Sequence, residues 1–375
     1  MAESRLSEIA RVFLMLGTTA FGGPAAHIAL MEAEVVRRRG WLTREQFLDY
    51  LGATYLIPGP NSTELAIHVG LSRAGWPGLL VAGASFILPA ALIVTAIAWA
   101  YVRYGALPAV AGILAGVKPV VIAVIAHALW QLGRSAVTSA FLGAVAIASL
   151  IAVALGVHEL IVLAVAALLC GSLAMRPSMS AAAILALSTG GSVTAIAAAV
   201  PASFSLSTLF WVFAKIGSVL FGSGYVLLAF LRADFVERLG WLTEQQLLDA
   251  VAVGQVTPGP VFTTATFIGY VLGGVPGAVV ATLGIFLPAF VFVALSGPLV
   301  PRLRRSALAG AALDGVNVAS LALMAFVTWQ LARATLTEWL PIALCAGSFI
   351  AIVHYRINAT WLIVMAAAIG WLTSR

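Results

Sequence analysis

Apolar runs of roughly twenty residues follow one another along almost the whole chain, separated by only a few polar residues; SFILPAALIVTAIAWAYV at 85–102 is representative. A run of that length matches the ~30 Å hydrocarbon core of a bilayer. In lipid, a helix can satisfy its own backbone N–H and C=O groups, whereas irregular backbone there is tolerated only inside protein or against water. With 9% charged residues, against about 25% in soluble domains, the chain cannot cover a soluble surface. The expected fold class is therefore an all-α polytopic membrane protein. Thirteen candidate spans fall at 7–30, 49–72, 77–102, 107–132, 138–156, 159–175, 181–200, 206–230, 249–272, 275–297, 307–332, 337–353 and 358–374, so about 12–13 crossings are expected. They use most of the 375 residues and leave no room for a soluble catalytic or nucleotide-binding domain. The N-terminal segment is apolar enough for a signal peptide, but Glu3 and Glu8 at its start favour a first span.

The chain also repeats itself. GWLTREQFLD at 40–49 returns as GWLTEQQLLD at 240–249, FGGP at 21–24 as FGSG at 221–224, and IPGP at 57–60 as TPGP at 257–260, each 200 residues on. One residue is then lost and the offset becomes 199: Gly116-Val117 aligns with Gly315-Val316, and Trp130-Gln131-Leu132 with Trp329-Gln330-Leu331. This register implies a first repeat at 1–176, a linker with one extra span at 177–205, and a second repeat at 206–375. Duplicated helical halves are the common plan of secondary transporters. Seven spans from the start of one half to the start of the other would invert the second half; if the FGGP segment turns back instead, the halves are parallel. Inversion is the preferred expectation. The thirteen-span arrangement puts eleven arginines on the N-terminal side and seven on the other, favouring a cytoplasmic N-terminus. The charged stretches 31–48 and 231–248, with Trp41 and Trp241, read as short interfacial helices.

Each half carries two places where a helix must break. Proline removes a backbone donor and clashes with the preceding turn, so Pro58-Gly59-Pro60 and Pro258-Gly259-Pro260 mark backbone buried within the bundle. Phe21-Gly22-Gly23-Pro24 and Phe221-Gly222-Ser223-Gly224 are the second pair of breaks. A helix restarting after each PGP exposes free N–H groups and about half a positive charge, with Asn61, Ser62 and Thr63 at the first restart and Thr263 at the second. Such ends meeting near the midplane would hold an anion. The candidate substrate-binding residues are thus Gly22, Gly23, Pro58, Gly59, Pro60, Asn61, Ser62, Thr63, Gly222, Ser223, Pro258, Gly259, Pro260 and Thr263. A simple proline kink is the structural alternative.

Ionisable residues inside spans are few, and each is a candidate for function: Glu64, His68, Lys118, His127, Lys215 and Asp314. Glu64, one turn past the first PGP, and Asp314 are candidates for proton coupling. Lys118 could pair with Asp314 across a pseudo-two-fold axis or hold the anion itself. His68 and His127 read as packed polar residues. Net charge is +6, which fits basic cytoplasmic loops and some attraction of anions. Cys170 and Cys345 lie apart in apolar runs, as small buried hydrophobes. No nucleotide-binding, metalloprotease, hydrolase or paired-cysteine motif occurs, so no enzyme activity, cofactor, metal or nucleic-acid partner is expected.

The set formed by Phe21, Gly22, Gly23, Pro24, Gly40, Trp41, Leu42, Pro58, Gly59 and Pro60, with its second-half counterparts, resembles the chromate ion transporter family in its long, duplicated form. The resemblance covers essentially the whole chain. It implies a secondary transporter in the prokaryotic inner membrane that exports chromate from the cytoplasm, driven by the proton gradient or membrane potential, with the isosteric dianion sulfate as competitor. It also implies oppositely oriented halves. The second half departs from the pattern in reading FGSG, which argues against two equivalent sites. Sulfate or general oxyanion transport and an uncoupled anion channel are the alternatives, and a homo-oligomer is compatible with the sequence.

Overall fold

The computed structural model describes residues 2–21, 23–105, 107–174, 203–221, 226–296 and 306–373. Most of the expected linker, 177–202, including the candidate span 181–200, lies outside the described residues. Among those described there are helices and no strands.

The first half begins with two helical hairpins. In the first, α1 (Ala2–Thr19) runs inward and α2 (Gly23–Met31), continued by wider turns over Glu32–Arg38, runs back. Glu8 on α1 meets Arg39 at 3.4 Å, and His27 on α2 reaches the Ala20 carbonyl at 3.1 Å. The two arms are therefore antiparallel, with their tip at 20–23. In the second hairpin, α3 (Arg44–Thr54) leads inward to the PGP break, and α4 (Asn61–Tyr104) starts directly after it. Tyr50 stacks on His68 at 5.4 Å, and Arg73 lies over Trp41 at 5.2 Å. The 61–73 limb of α4 thus returns beside α3 to the side it came from. The α3 start follows from TREQ: Thr43 Oγ1 accepts from the Gln46 N–H at 3.1 Å and the Gln46 side chain accepts from the Thr43 N–H at 3.0 Å, a capping box.

α4 is itself folded in two. Ala74 and Gly75 leave helical geometry, Gly75 at φ +65°, and Gly70 and Gly78 pack backbone to backbone. In a straight helix these glycines would stand about 12 Å apart. The 76–104 limb then crosses the bundle. α5 (Pro108–Ala136), α6 (Ala140–Ala154) and α7 (Glu159–Ala174) complete the half.

The second half repeats this plan with α8 (Leu206–Val219), α9 (Leu227–Leu231, continued by wider turns over Arg232–Arg238), α10 (Glu244–Val256) and α11 (Thr264–Ser296), the last entered through a 3₁₀ turn at Val261–Thr263. The second TEQQ forms the same capping box at Thr243 and Gln246. α11 reverses at Gly273–Gly274, with Gly274 at φ +60°, where Gly269 packs on Gly277. α12 (Ala307–Thr335), α13 (Trp339–Tyr355) and α14 (Ala359–Thr373) follow.

The 76–104 limb fixes how the halves are related. It leaves from beside Arg73, at the mouth of the first-half hairpins. At Ala90 it passes Gly259, whose position for a Cβ lies 2.7 Å from the Ala90 methyl. Near its end, the Tyr101 hydroxyl donates to Asp249 at 3.0 Å, and its ring meets Phe267 edge-on at 5.1 Å. Asp249 and Phe267 sit on the two arms of the second-half hairpin, back from its tip toward its mouth. The limb therefore runs from one mouth to the other, and the two hairpin pairs enter from opposite ends. The halves are inverted. They also exchange partners: Gly116 on α5 packs against Ala366 and Gly370 of α14, while Gly315 on α12 packs against Ala166 and Cys170 of α7.

Two expectations change. The segments 7–30, 49–72, 206–230 and 249–272 each read as one crossing, yet each contains a tip at which the chain turns back. Two turned-back segments per half leave the odd count between equivalent points intact, so inversion survives. Four helices are long and apolar enough to cross a membrane, with five shorter apolar ones among the described residues. Residues 31–48 and 231–248 form no separate interfacial helix; each is the outer end of a hairpin arm, a turn and the next capping box. Counted against this geometry, Arg5, Arg11, Arg37, Arg38, Arg39, Arg44, Arg73, Arg134 and Arg356 lie on the first-half side of the tips, and Arg103, Arg232, Arg238 and Arg333 on the other.

Candidate functional site: the meeting point of four hairpin tips

The tips are tied together crosswise. The Gly59 N–H donates to the Leu220 carbonyl at 2.8 Å, and the Gly259 N–H donates to the Ala20 carbonyl at 3.0 Å. Each PGP of one repeat thus satisfies the broken end of the other repeat's first hairpin. Both glycines adopt φ that L side chains rarely take, +141° and +85°, and flanking prolines remove two competing donors at each tip. His27 strengthens the knot: its Nε2–H donates to the same Ala20 carbonyl, and Nδ1 stands 3.4 Å from Ser62 Oγ. These ties meet the rule that buried backbone groups find partners.

The side chains at the two PGP tips differ sharply. Pro60 caps the first restart without a side-chain hydrogen bond; the Thr63 N–H donates to the Pro60 carbonyl at 2.8 Å, so the N–H groups of Asn61 and Ser62 are the ones left at the helix end. Behind it, Asn61, Ser62, Thr63 and Glu64 are all buried, Glu64 completely. Asn61 Oδ1, Thr63 Oγ1, both Glu64 oxygens and His68 Nε2 have no hydrogen-bond partner, whereas most buried polar atoms in proteins have one. Glu64 folds back against Gly59, so a Cβ at residue 59 would strike its carboxyl group. At the second tip the first two positions are Val261 and Phe262, and the hydroxyls behind them are satisfied locally: Thr263 donates to the Pro260 carbonyl at 2.8 Å and Thr264 to the Val261 carbonyl at 2.8 Å.

A cavity of about 760 Å³ leads to this knot. Its deep end is formed by Phe21, Pro24, Asn61, Phe221 and Gln255, and its outer end by Ser135, Thr138, Arg356 and Asn358. α5 passes Asp249 near its start, so its C-terminal end, and the cavity mouth with it, lies on the first-half side. Of the expected site residues, Asn61 and Asp314 line the cavity. Pro58, Gly59, Pro60, Ser62, Thr63, Pro258, Gly259, Pro260 and Thr263 build the tips behind it, Gly23 starts α2, and Gly22, Gly222 and Ser223 lie outside the described residues.

The expected Lys118–Asp314 pair does not form. Lys118 Nζ is bound to Asp249 Oδ1 at 3.2 Å, and both groups are largely buried; Lys118 lines no part of the cavity. Pairing across an inverted repeat does not follow sequence register, so Asp249, at a candidate span boundary, escaped notice. Lys215 is likewise held, by Asp234 at 2.6 Å, with Arg238 on the same carboxylate. His127 was expected to be packed, yet it lines the cavity and meets Gln131 at 3.0 Å. Gln131, Gln255, Asn317, Ser320 and Arg356 were missed. Asn317 alone had a signal, because it is the repeat counterpart of Lys118. The wall presents many neutral donors, with Arg356 as a cation near the mouth. An anion could therefore be held through hydrogen bonds and a helix end, and still leave.

The match with known proteins decides what class of protein this is. The chromate transporter family matches residues 7–172 and again residues 207–371. The chain belongs to the chromate transporter family. It is 33% identical to the chromate transport protein of Cupriavidus metallidurans over 97% of this chain and 92% of that protein. To the chromate transport protein of Pseudomonas aeruginosa it is 31% identical, over 96% and 90%. No solved structure matches it. This member of the chromate transporter family is thus a multi-pass membrane protein whose two inverted halves are the family's two matched blocks.

Proposed function

We propose that the chain exports chromate from the prokaryotic cytoplasm across the inner membrane by alternating access, with the anion held at the first-half tip. The observation carrying this is the cavity whose mouth lies on the first-half side and whose deep end reaches Asn61, a side chain whose Nδ2–H group can donate to an oxyanion. An uncapped helix start and a buried polar side chain together suit an oxyanion. Of the arginines placed above, nine lie on the cavity's side and four on the other, which supports a cytoplasmic N-terminus and cytoplasmic cavity mouth. In this state chromate loads from the cytoplasm past Arg356. Asn61 and Ser62 contact it, and the PGP and FGGP-type breaks of both halves set the backbone around it. Glu64, buried directly behind the tip, carries the coupling proton; Asp314, on the cavity wall, is the second candidate. Sulfate, of the same shape and charge, competes. Inverted repeats with broken helices at their interface support alternating access over an open channel.

The test is chromate flux in vesicles carrying the purified protein, with and without a proton gradient and excess sulfate. Gradient-driven chromate movement, slowed by sulfate, is expected. Chromate movement indifferent to the gradient would overturn coupling, and no chromate movement would overturn the substrate.

A further inference from the structure

On the far side of the tips from the cavity, one buried cluster ties the second-half mouth together. There Lys118 is bound to Asp249 at 3.2 Å, the Tyr101 hydroxyl donates to the other Asp249 oxygen at 3.0 Å, and the Tyr101 ring covers Phe267. Three elements meet at this one carboxylate: the end of the α4 crossing limb, the first part of α5 and the second-half hairpin. The repeat supplies a comparison within the same molecule. At the 199- and 200-residue offsets, Lys118 corresponds to Asn317 and Asp249 to Asp49. On the first-half side Asn317 lines the open cavity and Asp49 is exposed. On the second-half side Lys118 and Asp249 are joined and buried. The position that binds a carboxylate on the second-half side thus faces open space on the first-half side.

We propose that Lys118, Asp249 and Tyr101 form the gate on the second-half side, and that the cavity side, with Asn317 in place of Lys118, closes more weakly. This rests on the alternating-access reading above. A charge-assisted pair with a second donor on the same carboxylate holds more firmly than a neutral amide at the Lys118 position can. The unequal gates bias the unloaded protein toward opening at the cavity side, which is the loading side for export. When the second-half gate parts, Lys118 loses its carboxylate and becomes a cation on the exit path, a transient foothold for the departing dianion.

The gate can be read without any substrate. In the full chain carrying Cys170→Ala and Cys345→Ala, Val251→Cys places a single thiol on α10, further toward the tip than Asp249; Val251 is buried. In lipid nanodiscs both faces are open to a membrane-impermeant thiol reagent, and the labelling rate reports opening. Lys118→Gln and Asp249→Asn are each expected to raise that rate about tenfold, the shift expected when a closed state loses its holding contact. The exchanged pair Lys118→Asp with Asp249→Lys is expected to return it to the low value. Unchanged rates in monodisperse single variants overturn the gate. A rate still raised in an assembled exchanged pair means loosened packing and overturns it too. Should the exchanged pair fail to assemble, Tyr101→Phe stands in: a rise of about threefold is expected from losing one hydrogen bond, and no rise overturns the gate. Because the readout contains no chromate, failure of chromate flux leaves the gate standing, and failure of the gate leaves the flux result standing.

Discussion

The two PGP tips share one backbone and have opposite chemistry. Each tip glycine donates across the pseudo-two-fold axis to the broken end of the other half, at 2.8 and 3.0 Å. Yet NSTE behind the first tip leaves polar atoms of Asn61, Thr63 and Glu64 unpartnered, while VFTT behind the second is apolar or bonded to its own turn. Duplication fixed the scaffold, because a cross-tie works only if both partners are kept. It left the side chains free to diverge, because one substrate needs one set of ligands. A half-helix end whose polar side chains are already bonded serves as a brace; the same end with buried, unpartnered groups is the candidate site.

The largest effect is expected where the shared backbone itself is attacked. Gly259→Ala would place a methyl 2.7 Å from the Ala90 Cβ and 3.0 Å from the Gly17 carbonyl, at φ +85°. Backbone strain of this kind costs of order 1–3 kcal/mol, and the clash falls where the halves interlock. Loss of assembled protein is expected, read as disappearance of the monodisperse peak from the membrane extract. A well-assembled Gly259→Ala variant would show that the tips are not rigidly tied.

Next comes the chemistry of the first tip. Asn61→Ala leaves every tie in place and removes a side chain that faces the cavity. A hydrogen bond to a charged group is worth about 1.5–3 kcal/mol, which predicts a fall of roughly ten- to a hundredfold in chromate affinity, with assembly intact. Glu64→Gln keeps volume and removes the ionisable proton. Chromate flux is expected to persist while its response to an imposed proton gradient is lost. A retained response would move coupling to Asp314.

Much of this was legible in the residues. The repeat, the class of fold and the four breaks follow from a fixed offset and from proline and glycine chemistry. The reversals were not legible. A stretch such as 49–72 is equally apolar whether it crosses or doubles back, because both routes surround it with the same hydrocarbon and protein. Only contacts such as Tyr50 on His68 and Arg73 on Trp41 distinguish them. The sequence offers Lys118 as a partner for Asp314 or an anion site, but its partner Asp249 lies in a different element of the other half, beyond what repeat register can reveal. The cavity wall was the least visible part. Gln131, Gln255 and Ser320 are ordinary polar residues whose meaning comes from the space they share.

The smallest effect separates the two tips most cleanly. Thr263 occupies, in the second repeat, the position of Thr63 in the first. Its hydroxyl is spent on the Pro260 carbonyl at 2.8 Å, whereas that of Thr63 has no partner. Thr263→Val removes one local bond of about 1 kcal/mol and keeps the branched shape, so chromate affinity is expected to stay within about twofold of the parent. Thr63→Val, the same change at the other tip, is expected to weaken binding by several-fold if that hydroxyl serves the substrate. Vesicle flux at several chromate concentrations gives both values side by side. Equal losses would mean that the second tip also contacts the anion and that the site is shared; no loss from either would leave Asn61 and Ser62 as the tip's side-chain ligands.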